Sequence, residues 1–180
     1  QLYQRYKDRV FSLAYRITGN ANDALDAAQE SFVILYQRLG SFSFEAKFSS
    51  WFYRTVVNAS IDLLRRSRSR RPRLEISLDG ETGDQLCLVD ESCPAPDESA
   101  EKNEFSRQVQ ASLLKLSPKL RIITVLRYLQ DMSYEELAEI LGISLGTVKS
   151  RLARAHIALA EHLSELLDST EPDRRNSHAL

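Results

Sequence analysis

Apolar residues recur at spacings of three and four along most of this chain, a pattern that predicts an all-α fold. Tyr3, Tyr6, Val10, Leu13, Ala14 and Ile17 form one such face, which ends at Gly19 and Asn20. Ala24, Leu25, Ala28, Phe32, Leu35, Tyr36 and Leu39 form a second, stopped at Gly40. After a loop rich in Ser and Phe, a third helix is expected from about Ser50 to Arg66, with Trp51, Phe52, Val56, Ile61 and Leu64 among its apolar residues. Pro72 should prevent further helix. Between residues 74 and 96 the periodicity vanishes, and Gly80, Gly83, Pro94 and Pro96 lie among many acids, as in a linker. Helical spacing resumes near Asp97, with Phe105, Val109, Leu113 and Leu116 on one face. Ser117 and Pro118 read as an N-cap and first helical residue, opening a helix that carries Ile122, Ile123, Leu126 and Leu129. The pattern thus divides the chain into two small helical domains, residues 1–73 and 105–167, joined by an acidic flexible linker, residues 74–104, and followed by a tail, residues 168–180.

Residues 133–155 carry the most specific signal. Ser133 with Glu136 three positions on makes a capping box. Leu137, Ala138 and Leu141 follow at helical spacing, and Gly142 suits the left-handed residue that ends a helix. Ile143 would plug the corner, and Ser144 would cap a second helix whose buried stripe is Val148, Leu152, Ala155 and Leu159. Gly146, Thr147, Lys149, Ser150, Arg151 and Arg154 are left outside, with three cations on one side. A helix-turn-helix of this kind puts the start of its second helix into the major groove of DNA. There Arg can fork onto guanine acceptors, while Lys and Ser hold phosphates or base edges. An ordinary helical hairpin with a solvated cationic face would lack this agreement of caps, turn glycine and cations.

Net charge changes that picture only when it is resolved along the chain. The 180 residues sum to −1, which alone would argue against nucleic acid. Residues 1–73 hold 13 Lys or Arg against 6 Asp or Glu, a net of +7. The linker holds ten acids and one Lys, and residues 105–167 return to +2. Two positive modules tied by a negative strap suit a nucleic-acid partner. The hydrophobic share of 43% is enough for globular cores. No apolar run is long enough to insert in a membrane, and the first residues do not resemble a signal peptide. Cys87 and Cys93 read as free thiols of a reducing cytoplasm. Three scattered His suggest no metal site, and no phosphate loop or nucleophile–base pair suggests catalysis or a small-molecule substrate.

Three features of the first module remain. Asp23, Asp26, Gln29 and Glu30 give its second helix an acidic polar face. Such a face is commonly mere solvated surface; beside DNA-binding parts it suits a basic protein partner. Phe42, Phe44, Phe48, Trp51, Phe52 and Tyr53 put six rings into twelve residues. Trp51 and Phe52 are assigned to the core. Phe42 and Phe44 lie in a loop near Lys47 and Arg54, where rings flanked by cations can stack unpaired bases or close around an extracted one. Finally, six Arg fall within residues 65–73. This run gives a dense field for phosphates, although a solubilising tail or a nuclear localisation signal would share its composition.

In this order the parts resemble the sigma-70 family of RNA polymerase sigma factors, in its small extracytoplasmic-function (ECF) group. Asp23 to Phe32 resembles the family's region 2.2, Ser50 to Arg66 its regions 2.3 and 2.4, and Leu116 to Leu129 with Ser133 to Ala155 its region 4. Where the family commonly has two prolines before region 4, this chain has Ser117 and Pro118. The resemblance implies a bacterial, cytoplasmic initiation factor, without cofactor or catalysis of its own, that partners core RNA polymerase, promoter DNA and an anti-sigma factor. It implies polymerase contacts at Asp26, Gln29 and Glu30, to which the acidic face adds Asp23. It implies −10 contacts at Phe44, Asn58, Arg65, Arg66, Arg68, Arg70 and Arg71, to which the reading of the aromatic loop adds Phe42, Lys47 and Arg54. It implies −35 contacts at Thr147, Lys149, Ser150, Arg151 and Arg154, beside which Gly146 lets the backbone approach the duplex. The rival is a helix-turn-helix regulator of response-regulator type, which binds duplex DNA alone and lacks residues 23–66 as a unit.

Overall fold

The computed structural model describes residues 1–42, 47–70 and 100–170, and every regular element among them is helical. Helix α1 spans Leu2–Thr18, α2 Ala21–Arg38 and α3 Phe48–Arg70; a short 3-10 turn, Leu39–Ser41, follows α2. Helices α4, Ala100–Lys115, α5, Pro118–Leu129, α6, Tyr134–Leu141, and α7, Leu145–Thr170, make the second module. Phe44, Arg71 and most of the acidic linker fall outside the described residues.

Local chemistry sets the boundaries. The left-handed Gly19 (φ 75°) ends α1, its amide donating to the Tyr15 carbonyl at 2.8 Å. The Asn20 side chain then accepts from the amides of Asn22 and Asp23 and starts α2 one residue later. Asp23 sits in that first turn, where a carboxylate complements the helix dipole. Helix α3 runs four residues beyond the expected Arg66, into the basic run. Its end at Arg70 is two residues short of Pro72, which cannot be accommodated in a continuing helix.

Helices α1, α2 and α3 pack on one another. Val10, Leu13 and Ile17 of α1 meet Phe52, Val56 and Val57 of α3 in the core, all essentially without exposure. Helix α2 contributes small residues, Ala24, Ala27, Ala28 and Ser31, which let its backbone approach closely. The Ser31 hydroxyl donates to the Ala27 carbonyl, so this polar group is buried without an unmet hydrogen bond. Seating the alanines inward rotates three expected core residues out of the core. Leu25 is 48% exposed, Tyr36 87% and Leu39 40%. Tyr3 is likewise largely exposed, although its ring touches Phe32. Phe52, as expected, is fully buried, with Tyr6, Phe32 and Phe48 around it at ring separations of 5.7, 5.3 and 5.9 Å. Trp51 is only half-buried.

In the second module α7 packs on α4, α5 and α6. Val148, Leu152 and Ala155 are its buried stripe, with Leu159 packed at the edge. Ile123, Leu126 and Leu137 complete this core. Two residues expected inside it are exposed, Phe105 near the start of α4 and Leu129 at the end of α5. Leu129 is the last residue of its helix. The bend from α5 to α6 is held by Arg127, which donates to the Met132 carbonyl at 2.8 Å and lies over the Tyr134 ring.

The two modules touch. Buried apolar residues of both join in one cluster. Arg121 of α5, 2% exposed, donates to the carbonyls of Ile17 (2.7 Å), Leu114 (2.8 Å) and Leu116 (3.1 Å). These carbonyls belong to the C-terminal ends of α1 and α4, where helix dipoles concentrate negative charge and backbone acceptors lack helical partners.

Candidate nucleic-acid and polymerase interfaces

The helix-turn-helix is built by short-range hydrogen bonds that the sequence already specifies. The Ser133 hydroxyl accepts from the Glu136 amide, while Glu136 Oε2 accepts from the Ser133 amide at 2.9 Å. Gly142 is left-handed (φ 64°), and the Ile143 amide returns to the Ala138 carbonyl. Ser144 caps α7, accepting from the Thr147 amide at 3.1 Å and exchanging a hydroxyl bond with Thr147 at 2.9 Å. The start of α7 is therefore rigid before any ligand arrives.

Val148, Leu152 and Ala155 face inward, so helical geometry turns Gly146, Thr147, Ser150 and Arg154 outward, with Arg151 at their flank. Gly146, Ser150 and Arg154 are exposed; Thr147 and Arg151 are half-buried. Lys149 is exposed but lies on the opposite flank, about 160° round the helix from Arg151. The expectation of three cations on one side is corrected to two. Lys149 instead contributes to holding the Glu135 carboxyl below its usual range, a shift caused first by hydrogen bonds to the backbone and Ser133.

On the first module, Arg54, Asn58 and Arg65 recur at helical spacing along the outer side of α3, all exposed. Arg66 is exposed beside them, and Arg65 pairs with Asp62 at 3.5 Å. Arg68 and Arg70 continue the helix, and the side-chain positions of these two lie outside the described residues. Trp51, assigned to the core from sequence, shares this outer side. Phe42 packs on it at 5.4 Å and on Phe48 at 5.8 Å. The half-buried pair of Phe42 and Trp51 brings an apolar platform next to Arg54.

Lys47, just ahead of α3, does not join that row. Its Nζ donates to Glu136 Oε1 at 2.8 Å, so a single carboxylate caps α6 with one oxygen and binds the other module with the second. The hydrogen bond from Lys47, followed by that from the Ser133 amide, holds the Glu136 carboxyl below its ordinary range. A depressed carboxyl pKa supports the fold at neutral pH, and its contribution disappears as pH falls through the depressed value. A carboxyl carbon NMR titration should place the Glu136 midpoint below the ordinary ~4.3, and Lys47→Ala should move it upward. A midpoint at the ordinary value in both proteins would contradict this assignment.

Helix α2 presents a face that sequence reading only half found. Asp26 and Gln29 are exposed, while Asp23 and Glu30 are half-buried. Leu25, Gln29, Val33 and Tyr36 fall on one stripe beside them, at offsets of four, four and three. Val33 is 54% exposed, so Leu25, Val33 and Tyr36 form an apolar strip in water, flanked by Asp26 and Glu30. The spacing of Leu25 and Tyr36 predicts core; the inward alanines are the signal to the contrary. Among the described residues no group of three His, Cys, Asp or Glu is placed to hold a metal ion, and no helix is long and apolar enough to cross a membrane.

The comparisons agree with this architecture. The sigma-70 region 2 family model matches residues 2–70, and the sigma-70 region 4 model matches residues 106–159. The chain is 35% identical to the ECF RNA polymerase sigma factor SigW of Bacillus subtilis over 164 residues, covering 89% of this chain and 86% of SigW. The fold resembles that of the sigma factor RpoE from Bartonella quintana, solved with the anti-sigma factor NepR, at a TM-score of 0.68 and 24% identity, covering 91% of this chain and 95% of RpoE. It also resembles CnrH, solved with the cytosolic domain of CnrY, at a TM-score of 0.63 and 26% identity, covering 95% and 88% of the two chains. Two family models on one chain, in this order and on these helices, identify it: the chain belongs to the sigma-70 family as an ECF RNA polymerase sigma factor, a transcription initiation factor.

Proposed function

We propose that this chain binds core RNA polymerase through α2, captures the opened −10 strand along α3 and anchors the −35 duplex with α7. The observation that carries the reading is the separation of three chemically distinct faces. Helix α2 offers apolar residues edged by acids, which suit a basic protein surface rather than phosphate. Helix α3 offers Arg54, Asn58, Arg65 and Arg66 along one side, continuing toward Arg68, Arg70 and Arg71. Phe42 and Trp51 pack together at its start, so these two rings stand where unstacked bases can be held. Stacking contributes about 1–3 kcal/mol per base, and the two DNA contacts tether one another through the chain. We assign the chain no catalytic step.

An anti-sigma factor is a further proposed partner, supported by the complexes in which RpoE and CnrH were solved. A cytoplasmic location fits these partners. The rival regulator of response-regulator type would use α6 and α7 alone and has no need of residues 23–66 as a unit. Sedimentation of the purified chain with core polymerase in the absence of DNA tests the choice. Stable association supports the sigma reading, whereas a chain that ignores polymerase and binds duplex DNA selectively unaided refutes it.

Within that reading, Arg151→Ala should weaken binding to the −35 element by about 1–3 kcal/mol while leaving polymerase affinity unchanged. Competition with duplexes carrying single base changes checks it. Equal loss on every sequence would make Arg151 a phosphate contact instead.

A further inference from the structure

One polar contact of the second module has no part in the three faces. Tyr128, near the end of α5, bonds through its hydroxyl to His156 Nε2 on α7, with the ring centroids 5.7 Å apart. Both side chains are exposed, Tyr128 by 53%. The residues three and four positions from His156 on α7, namely Leu152, Ala153, Leu159 and Ala160, offer it no polar partner. Among the described residues Tyr128 is the one titratable group bonded to His156, and α4 and α6 add none. Glu135 of α6 interacts instead with Lys149.

We propose that Tyr128 and His156 together hold one backbone phosphate of the −35 duplex, more tightly when the imidazole is protonated. The proposal rests on the sigma reading for the placement of α7 in the major groove. Seven residues make almost two helical turns, so His156 lies within about 20° of Lys149, on the flank away from Arg151. It stands about 16 Å along the axis from the start of α7, against a major-groove depth of about 8.5 Å. With the first turn of α7 at the base edges, His156 is therefore beside the phosphate rim rather than at a base. The end of α5 brings the Tyr128 hydroxyl to the same place.

A phosphodiester oxygen accepts hydrogen bonds and carries negative charge. Neutral imidazole accepts or donates at Nε2 according to its tautomer, but protonated imidazole only donates. Protonated His156 therefore donates to the phenol oxygen, and the phenol proton turns outward. The pair then presents an O–H donor and a positive charge to one anion, a stronger combination than a neutral bond. Imidazole gains its proton between about pH 8 and pH 5, and a neighbouring phosphate favours the charged form. Backbone contacts carry no base information, so the pair raises affinity on every sequence and leaves promoter preference unchanged.

The test measures binding of the full chain, alone and with core polymerase, to promoter fragments carrying single uncharged methylphosphonate links across the −35 element. One link should weaken the wild-type complex at pH 6 about fivefold, the upper range for an exposed charge pair. That effect should vanish in Tyr128→Phe, which keeps the ring, and in His156→Gln. The affinity ratio of wild type to His156→Gln should rise about fivefold from pH 8 to pH 6. His156→Arg should bind at pH 8 as wild type does at pH 6, which a contact that merely braces α5 on α7 would not produce. Identical methylphosphonate profiles in wild type and both variants overturn the proposal, as does a ratio that stays constant with pH. Both signatures in a chain that ignores polymerase uphold the phosphate contact and refute the sigma reading.

Discussion

Replacing Arg121 with alanine should lower the free energy of unfolding by about 3 kcal/mol, the largest stability effect expected of any polar residue described. Three main-chain carbonyls, of Ile17, Leu114 and Leu116, accept from its guanidinium inside the protein. An orphaned buried acceptor costs about 1–3 kcal/mol, and bonds to a charged donor are worth more than neutral ones. The acceptors also sit at the negative ends of α1 and α4, so loss of the cation leaves both dipoles uncompensated. Partial separation of the modules would admit water and relieve some of the loss, which keeps the sum below a simple total. Arg121→Lys keeps the charge but cannot fork across three acceptors, and should recover less than half. Urea unfolding of the three proteins measures this, and an unchanged midpoint for Arg121→Ala would show that the carbonyls find other donors.

Tyr36→Ala should weaken binding of core polymerase about 30-fold, or roughly 2 kcal/mol, with no comparable loss of stability. The ring is 87% exposed in the free chain, so its removal costs the fold little. Large aromatic residues in the centre of an interface dominate its energetics, and Tyr36 shares its stripe with Leu25 and Val33. Titration of labelled chain with core polymerase gives the affinity, and binding to a −35 duplex provides the control. Unchanged polymerase affinity would move the contact surface away from α2.

The helix-turn-helix was legible because its determinants are local. Ser133, Glu136, Gly142 and Ser144 act on residues within three or four positions, and the structure shows the caps, the left-handed glycine and the turn they imply. The buried stripe of α7 was legible from period alone. The stripe of α2 was not, since an apolar residue at helical spacing can face a core or a partner. Leu25 and Tyr36 read as core until the competing row of Ala24, Ala27 and Ala28 is weighed, and close packing against α1 and α3 favours the small residues. Trp51 and Phe52 illustrate the same limit, as the adjacent rings stack at 6.5 Å and yet only Phe52 reaches the centre. The burial of Arg121 and the pairing of Lys47 with Glu136 depend on contacts about 90 to 100 residues distant, which no local pattern encodes.

The central claim is that this chain confers promoter selection on a polymerase that lacks it. Its most direct test is reconstituted transcription with purified core RNA polymerase on a pool of promoter fragments, with and without the chain. The account predicts RNA starting at one defined position on a subset of fragments, only when the chain is present, with fewer starts when Arg151 or Tyr36 is replaced by alanine. Active core that gives the same non-specific RNA with or without the chain would contradict it.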